Sequence, residues 1–288
     1  MPLHTRSQRW SVIVAHRRAG KTVACINDLL TCGLATSKQN GRYGYIAPYY
    51  SQAKTVAWDY LKHYGQEVIA SKNESETSVK LVNGSQIRLF GADNADAMRG
   101  GYFEGVVADE YGDWRGSVWG DVIRPMLADR KGWAVFIGTP KGRNQFYDTV
   151  NQADESWLKL ILKASETGIL PQSELDDARK SMSEAQYLRE FECAFDVPAE
   201  GAVYAQEMLG LQPRITRVPY DPLLKVHTAW DLGVGDSTAI WFIQVSGSEV
   251  RLIDYHEETG KGLDHYAAVI EGKGYRYGKH IAPHDIQV

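Results

Sequence analysis

Cysteine is scarce in this chain of 288 residues: there are three, Cys25, Cys32 and Cys193, with no CxxC pair. An odd, unpaired set excludes a disulfide scaffold and a cysteine-ligated zinc site, and it fits a reducing compartment. The three are expected to be small buried hydrophobes. Long apolar runs are missing too. Nothing approaches the roughly 18–20 residues that span a bilayer, and the N-terminus MPLHTRSQRW lacks the apolar core of a signal peptide. Neither a membrane association nor secretion is expected; the cytoplasm is. Strong charge of one sign is also absent, because 32 Lys and Arg against 36 Asp and Glu leave a net charge of −4. With 24 basic and 25 acidic residues up to position 200, and 8 and 11 after it, neither part has the basic excess that advertises a nucleic-acid binder. If DNA is the substrate, a local patch or a ring of subunits must grip it. There is no internal repeat and no low-complexity tract, and 43% hydrophobic with 24% charged residues is a globular composition, not a disordered, collagenous or coiled-coil one.

What is present is alternation. Apolar runs of strand length, Trp10–Ala15, Tyr43–Ala47, Gly105–Ala108 and Trp133–Gly138, are separated by helix-like stretches at Thr22–Ala35, Ser51–Ile69 and Val118–Ala128. That is the sequence form of a parallel α/β sheet. Asn83-Gly84 predicts an inserted hairpin with a type I′ turn. After the run Trp157–Lys163, a polar stretch from Pro171 to about Phe195 reads as a helical lid with proline at its first turn. Five prolines and glycines between 198 and 219, with Pro222 after them, mark a linker at 198–222. Three further strands (Lys225–Asp231, Thr238–Val245, Val250–Tyr255), a helix (Leu263–Glu271) and a short strand (Lys279–Ala282) form a different α/β unit.

The strongest local signal is Ala15-His16-Arg17-Arg18-Ala19-Gly20-Lys21-Thr22, placed after a strand and opening a helix. A P-loop needs that context: its backbone N–H groups and the helix N-terminus cradle phosphates, Lys21 reaches the β- and γ-phosphates, and the Thr22 hydroxyl binds Mg²⁺. Ala15 departs from the glycine of the consensus. Val106-Val107-Ala108-Asp109-Glu110 supplies the acidic strand end that an ATP site requires. Asp109 would hold Mg²⁺ and Glu110 would polarise the attacking water, because phosphoryl transfer depends on positioning and charge neutralisation. Thr139, in Gly138-Thr139-Pro140, ends the next strand as a candidate γ-phosphate sensor. Arg17, Arg18 and Arg99 are candidate positive groups near that phosphate, and Met98-Arg99-Gly100-Gly101 suits an arginine finger offered by a neighbouring subunit.

In the second segment Asp231 ends the first strand in WDLGVGDST, and Asp285 ends the fourth in Pro283-His284-Asp285. This order resembles the RNase H-like nuclease core, where the first and fourth strands are neighbours. Two such carboxylates, assisted by Asp236 and His284, could share a pair of Mg²⁺ or Mn²⁺ ions for phosphodiester cleavage.

An ATPase bearing HRRAGKT, VVADE and GTP, followed by AWDLGVGDST and APHD, resembles the large terminase subunit of tailed bacteriophages and prophages over nearly the whole chain. The resemblance implies an α/β fold: a P-loop ATPase of the ASCE type, with a mainly parallel sheet and a helical lid, followed by a partial RNase H-like segment. It implies domains at 1–197 (lid about 151–197) and 223–288. It also implies ATP as cofactor with Mg²⁺, and Mg²⁺ or Mn²⁺ for the nuclease. The implied partners are double-stranded viral DNA, the portal protein, the small terminase subunit and further copies in a ring on the capsid, with a monomer in solution. The setting would be the bacterial cytoplasm, with docking on the procapsid. By motif, His16 to Thr22 and Asp109 bind nucleotide, and Thr22 and Asp109 hold its metal. Lys21, Arg17, Glu110 and Thr139 act in hydrolysis, Arg99 acts in trans, and Asp231 and Asp285 are nuclease ligands. Family members carry an adenine-reading glutamine before the P-loop strand, for which Gln8 is the one stand-in, and a third nuclease carboxylate beyond the second. The nuclease is therefore expected to be incomplete and weak or inactive, in a chain truncated at its C-terminus. Two alternatives remain: another P-loop DNA translocase or helicase, and a nonenzymatic prophage remnant that only binds nucleotide.

Overall fold

The computed structural model describes residues 2–197, 214, 216–233 and 237–283. The chain divides into two compact units, Met1–Val203 and Tyr204–Val288.

In the first unit the continuous apolar runs become strands buried on both faces: β1 (Trp10–Ala15), β2 (Arg42–Ala47), β6 (Gly105–Ala108) and β7 (Trp133–Gly138). Parallel strands covered by helices on both sides need no polar alternation. With β3 (Ile69–Asn73), β4 (Ser78–Leu81), β5 (Gln86–Gly91) and β8 (Leu158–Leu162) they form one eight-stranded sheet in the order β3-β4-β5-β2-β6-β7-β1-β8. From β5 to β8 every neighbour is parallel; β3, β4 and β5 pair antiparallel at one edge. The decisive placement is β7 between β6 and β1, with Ala108 opposite Phe136 and Val14 opposite Gly138. Three loop-bearing strand ends therefore lie side by side.

Helix α1 (Lys21–Ala35) and a helix over residues 50–64 (α2) cover one face, packing Cys25, Ile26, Leu29, Trp58 and Leu61 on Ile13 and Ala15 of β1. A helix over residues 119–126 (α3) and α4 (Gln145–Gln152) help cover the other, burying Val122 and Phe146 against Val12 and Val14. Cys25 and Cys193 are buried and Cys32 is half-buried, all three as free thiols.

Three local expectations are corrected. Helix α2 stops at Tyr64, not Ile69, because the Gly65 N–H closes on the Leu61 carbonyl and Ile69 already starts β3. The Asn83-Gly84 hairpin has a three-residue loop in place of a type I′ turn. Gly84 alone is left-handed (φ 88°), and its N–H returns to the Leu81 carbonyl while Leu81 pairs with Ser85, the pattern of a bulged hairpin. The Asn83 side chain instead donates to the Gly33 and Leu34 carbonyls, pinning the hairpin to the end of α1. The polar stretch from Pro171 is two helices after the short α5 (Ala164–Thr167): α6 (Gln172–Ser181) and α7 (Glu184–Glu190). Ser183 and Gln186 make a reciprocal capping box that starts the second.

The second unit contains β9 (Val226–Asp231), β10 (Ser237–Ser246), β11 (Glu249–Thr259), α8 (Leu263–Gly272) and β12 (Tyr277–Ile281). Its sheet order is β11-β10-β9-β12. Strands β9, β10 and β11 pair antiparallel, and β12 joins β9 in parallel, so the first and fourth strands are neighbours. Val226, Ile240, Phe242 and Tyr266 form its core. Among the described residues no helix is long and apolar enough to cross a membrane.

Candidate nucleotide site

Residues 16–20 link β1 to α1 through two left-handed positions, Arg18 (φ 68°) and Gly20 (φ 76°). Gly20 is the N-cap of α1 and brings no side-chain cap. The first-turn N–H groups of a helix lack intrahelical partners, and here they stay open to an anionic ligand at the positive helix end. Ala15 tolerates its departure from consensus because it is still a β1 residue with extended backbone; its carbonyl accepts from Lys21 Nζ at 3.3 Å. The His16 ring turns inward. It is fully buried, donates from Nδ1 to the Arg17 carbonyl (2.7 Å) and lies with Nε2 2.9 Å from Thr167 Oγ1, so its side chain does not reach the ligand face of the loop. Arg17 ties the loop to α7: its N–H donates to the Glu190 carbonyl (2.9 Å), and its guanidinium is 3.5 Å from the Glu190 carboxylate.

The loop floors a cleft of about 710 Å³, lined also by Glu110, Thr139 and Lys141 from the neighbouring strand ends and by Gln52, Val56 and Tyr60 of α2. Glu110 sits in a left-handed conformation (φ 42°) just after β6, an uncommon state for a non-glycine residue and a recognised store of strain at functional sites. Its carboxylate bridges the strand ends. Oε1 is 3.2 Å from Lys21 Nζ, and Oε2 accepts from the Thr139 N–H (3.3 Å) and hydroxyl (3.2 Å).

Asp109 is buried behind it. Burial, and next the charge of Glu110, push its carboxyl up to about 6, against the opposing hydrogen bond from Tyr45. Tyr45 Oη donates to one oxygen (2.6 Å) and the Glu110 N–H to the other (3.0 Å). Burial raises the Tyr45 phenol well above its usual range, so it stays a donor; Thr22 lies near it. Thr22, Tyr45, Asp109 and Glu110 thus form a cluster in which two carboxylates lie near one lysine. The uncompensated negative charge and oxygen donors fit a hard divalent cation such as Mg²⁺.

No family model matches the chain. It is 26% identical to the large terminase subunit of Escherichia phage T5 over 284 residues, covering 91% of this chain and 63% of that protein. It is 40% identical to the large terminase subunit of Thermus phage G20c over 88 residues, covering 31% of this chain and 17% of that protein. The large terminase ATPase domain of Thermus phage P74-26 superposes with a TM-score of 0.59 at 20% identity, covering 67% of this chain and 91% of that one. The large terminase of a thermophilic bacteriophage, solved in complex with ADP, superposes at 0.57 and 12% identity, covering 99% and 74%. The chain resembles phage large terminase subunits. It spans less than two thirds of the length of the curated relatives, and its α/β fold with a mostly parallel central sheet is that of terminase ATPase domains.

Against the terminase resemblance, the remaining expected residues fall into two sets. Arg99 lies outside the cleft of its own chain; its Nε donates to Asp96 Oδ1 at 2.5 Å and the side chain is exposed. Gln8 does not line the cleft either. Asp231 ends β9 exposed, opposite Ala239 of β10. Asp236, His284 and Asp285 lie outside the described residues, as does most of the 198–222 stretch. Tyr45 was not legible from sequence, since only the pairing of β2 with β6 brings it to Asp109. Gln52, Val56 and Tyr60 did leave a signal: a four-residue spacing that sets them on one helix face.

Proposed function

We propose that the chain hydrolyses ATP as the motor of a terminase that packages double-stranded phage DNA. The observation that carries this reading is Glu110, held between the P-loop lysine and the Thr139 hydroxyl at the mouth of a phosphate-shaped loop. With triphosphate on the loop N–H groups, Lys21 turns from Glu110 to the β- and γ-phosphates. The freed carboxylate then orients water in line with the γ-phosphorus, the positioning role that dominates phosphoryl transfer. Thr139 touches the same carboxylate from β7, so loss of the γ-phosphate reaches the segment that leads to the lid. Bound Mg²⁺, held through Thr22 and Asp109, would neutralise charge developing on the phosphates.

In the second unit, Asp231 with Asp285 would hold Mg²⁺ or Mn²⁺ as part of an endonuclease site, and the antiparallel three plus parallel fourth strand order supports that assignment. The portal, the small subunit, a ring of copies and the host cytoplasm follow from the same proposal, with Arg99 reaching the cleft of a neighbouring copy. The mixed four-stranded sheet of the second unit is not a second parallel ATPase sheet, which favours the packaging reading over a helicase built on two such sheets.

Purified chain with ATP and Mg²⁺ should turn over. Glu110→Ala should lower the rate by about 10²-fold or more while a fluorescent ATP analogue still binds, and Arg99→Ala should abolish any rise of specific activity with protein concentration. Turnover unchanged by Glu110→Ala refutes the hydrolytic assignment, and binding without any turnover in the parent chain leaves a nucleotide-binding remnant.

A further inference from the structure

We propose that His256, Glu258 and His265 of the second unit form a binding site for a divalent transition-metal ion of the zinc type, separate from both the nucleotide cleft and Asp231. The ligand atoms of the three side chains all lie within 4.8 Å of one another.

Their convergence follows from the fold. His256 and Glu258 are two residues apart on β11, so they project from the same sheet face. Glu257, between them, shares the register row of Ala239 and Asp231, which puts Asp231 on the opposite face. His256 belongs to the row with Ile240 and Trp230 beneath α8, and His265 is the third residue of that helix. Tyr266 locks the arrangement. Fully buried, it donates from its hydroxyl to the Glu258 carbonyl at 2.8 Å and stacks edge-on against both imidazoles, at 6.0 Å from His256 and 5.3 Å from His265.

The distances suit a metal. Zinc bound at about 2.0–2.1 Å to tetrahedral nitrogen and oxygen ligands separates those atoms by about 3.4 Å. The Glu258 carboxylate is 3.8 Å from His256 Nε2 and 2.7 Å from His265 Nε2, values that bracket this spacing. His256 Nε2 is buried without a hydrogen-bond partner, a condition that is costly for a polar atom and is relieved by a ligand. His265 and Glu258 are about one third exposed, leaving a path for the ion and room for water as fourth ligand. Two imidazoles and one carboxylate select Zn²⁺ and its neighbours over Mg²⁺, which prefers oxygen donors. Lys261 Nζ, 3.4 Å from Glu258 Oε1, is the charge the ion must displace.

The test is Zn²⁺ titration of the whole chain by calorimetry in excess Mg²⁺, with Co²⁺ absorption as the geometric readout. One equivalent should bind at pH 7.5 and give the d–d bands of a tetrahedral site. His256→Ala and His265→Ala should each weaken that equivalent by about tenfold or more. Glu258→Gln, which keeps the side-chain shape and an acceptor for His265, should weaken it as well if either alanine variant misfolds. Lys261→Ala should strengthen it. No saturable Zn²⁺ binding, or an equivalent indifferent to all three ligand substitutions, overturns the proposal. Loss of ATP turnover has no bearing on these readouts, so the metal site and the motor reading fail independently.

Discussion

Asp109→Asn should make the nucleotide-free protein more stable at neutral pH. The carboxyl moves from an ordinary 3.8 to about 6 in the folded chain, chiefly through burial and then through Glu110. A rise of about two pH units at about 1.4 kcal/mol each is a penalty of about 3 kcal/mol on the folded state. The sign follows from the direction of the shift. Below the unfolded value the group is protonated in both states and costs nothing, and stability is lost as pH climbs through the folded value, until the full penalty applies above about pH 7. The amide escapes this penalty, yet it cannot accept from both Tyr45 and the Glu110 N–H, which costs about 1 kcal/mol. The net gain at pH 8 is about 2 kcal/mol. For a unit of this size that is a thermal midpoint higher by about 4–8 °C, shrinking to nothing near pH 4.5 as the carboxylate penalty falls to about 1 kcal/mol. Thermal unfolding of parent and variant across that pH range, followed by tryptophan fluorescence, measures the difference. A variant less stable at pH 8, or a difference that does not change with pH, refutes the reasoning that Asp109 is held charged against its environment.

Tyr45→Phe removes a hydrogen bond that holds Asp109 down, so the acid limb of the ATPase pH profile should move upward by about one to two pH units, the equivalent of about 1.5–3 kcal/mol for a bond to a charged group; an unmoved limb would separate Asp109 from turnover. Gly105→Ala should cost about 1–3 kcal/mol, since a Cβ at the first residue of β6 would overlap the Trp133 ring on the neighbouring strand. Gly116→Ala, where nothing lies within 4 Å, is its control and should change the thermal midpoint little.

Four strands of the first unit, β1, β2, β6 and β7, were legible because they are buried on both faces, and such strands are nearly continuous apolar runs; Trp10–Ala15, Gly105–Ala108 and Trp133–Gly138 match residue for residue. The helices were less so. The α2 pattern runs on past Tyr64, and only the Gly65 closure and the pairing of Ile69 with Leu81 end it. The motifs named the groups of the site, but not their mutual distances, because those depend on strand order. That β7 enters between β6 and β1 is a long-range fact, and it is what brings Thr139 to Glu110 and Glu110 to Lys21. The same fact orders the chemistry. Residues that a P-loop spacing predicts would hold phosphate are named by local pattern alone, whereas Tyr45 has no motif: its phenol matters only because β2 lies next to β6 and places a proton donor against a buried carboxylate. Strand order therefore supplies what local pattern leaves out, namely which side chain sets the charge of the residue that would hold the metal.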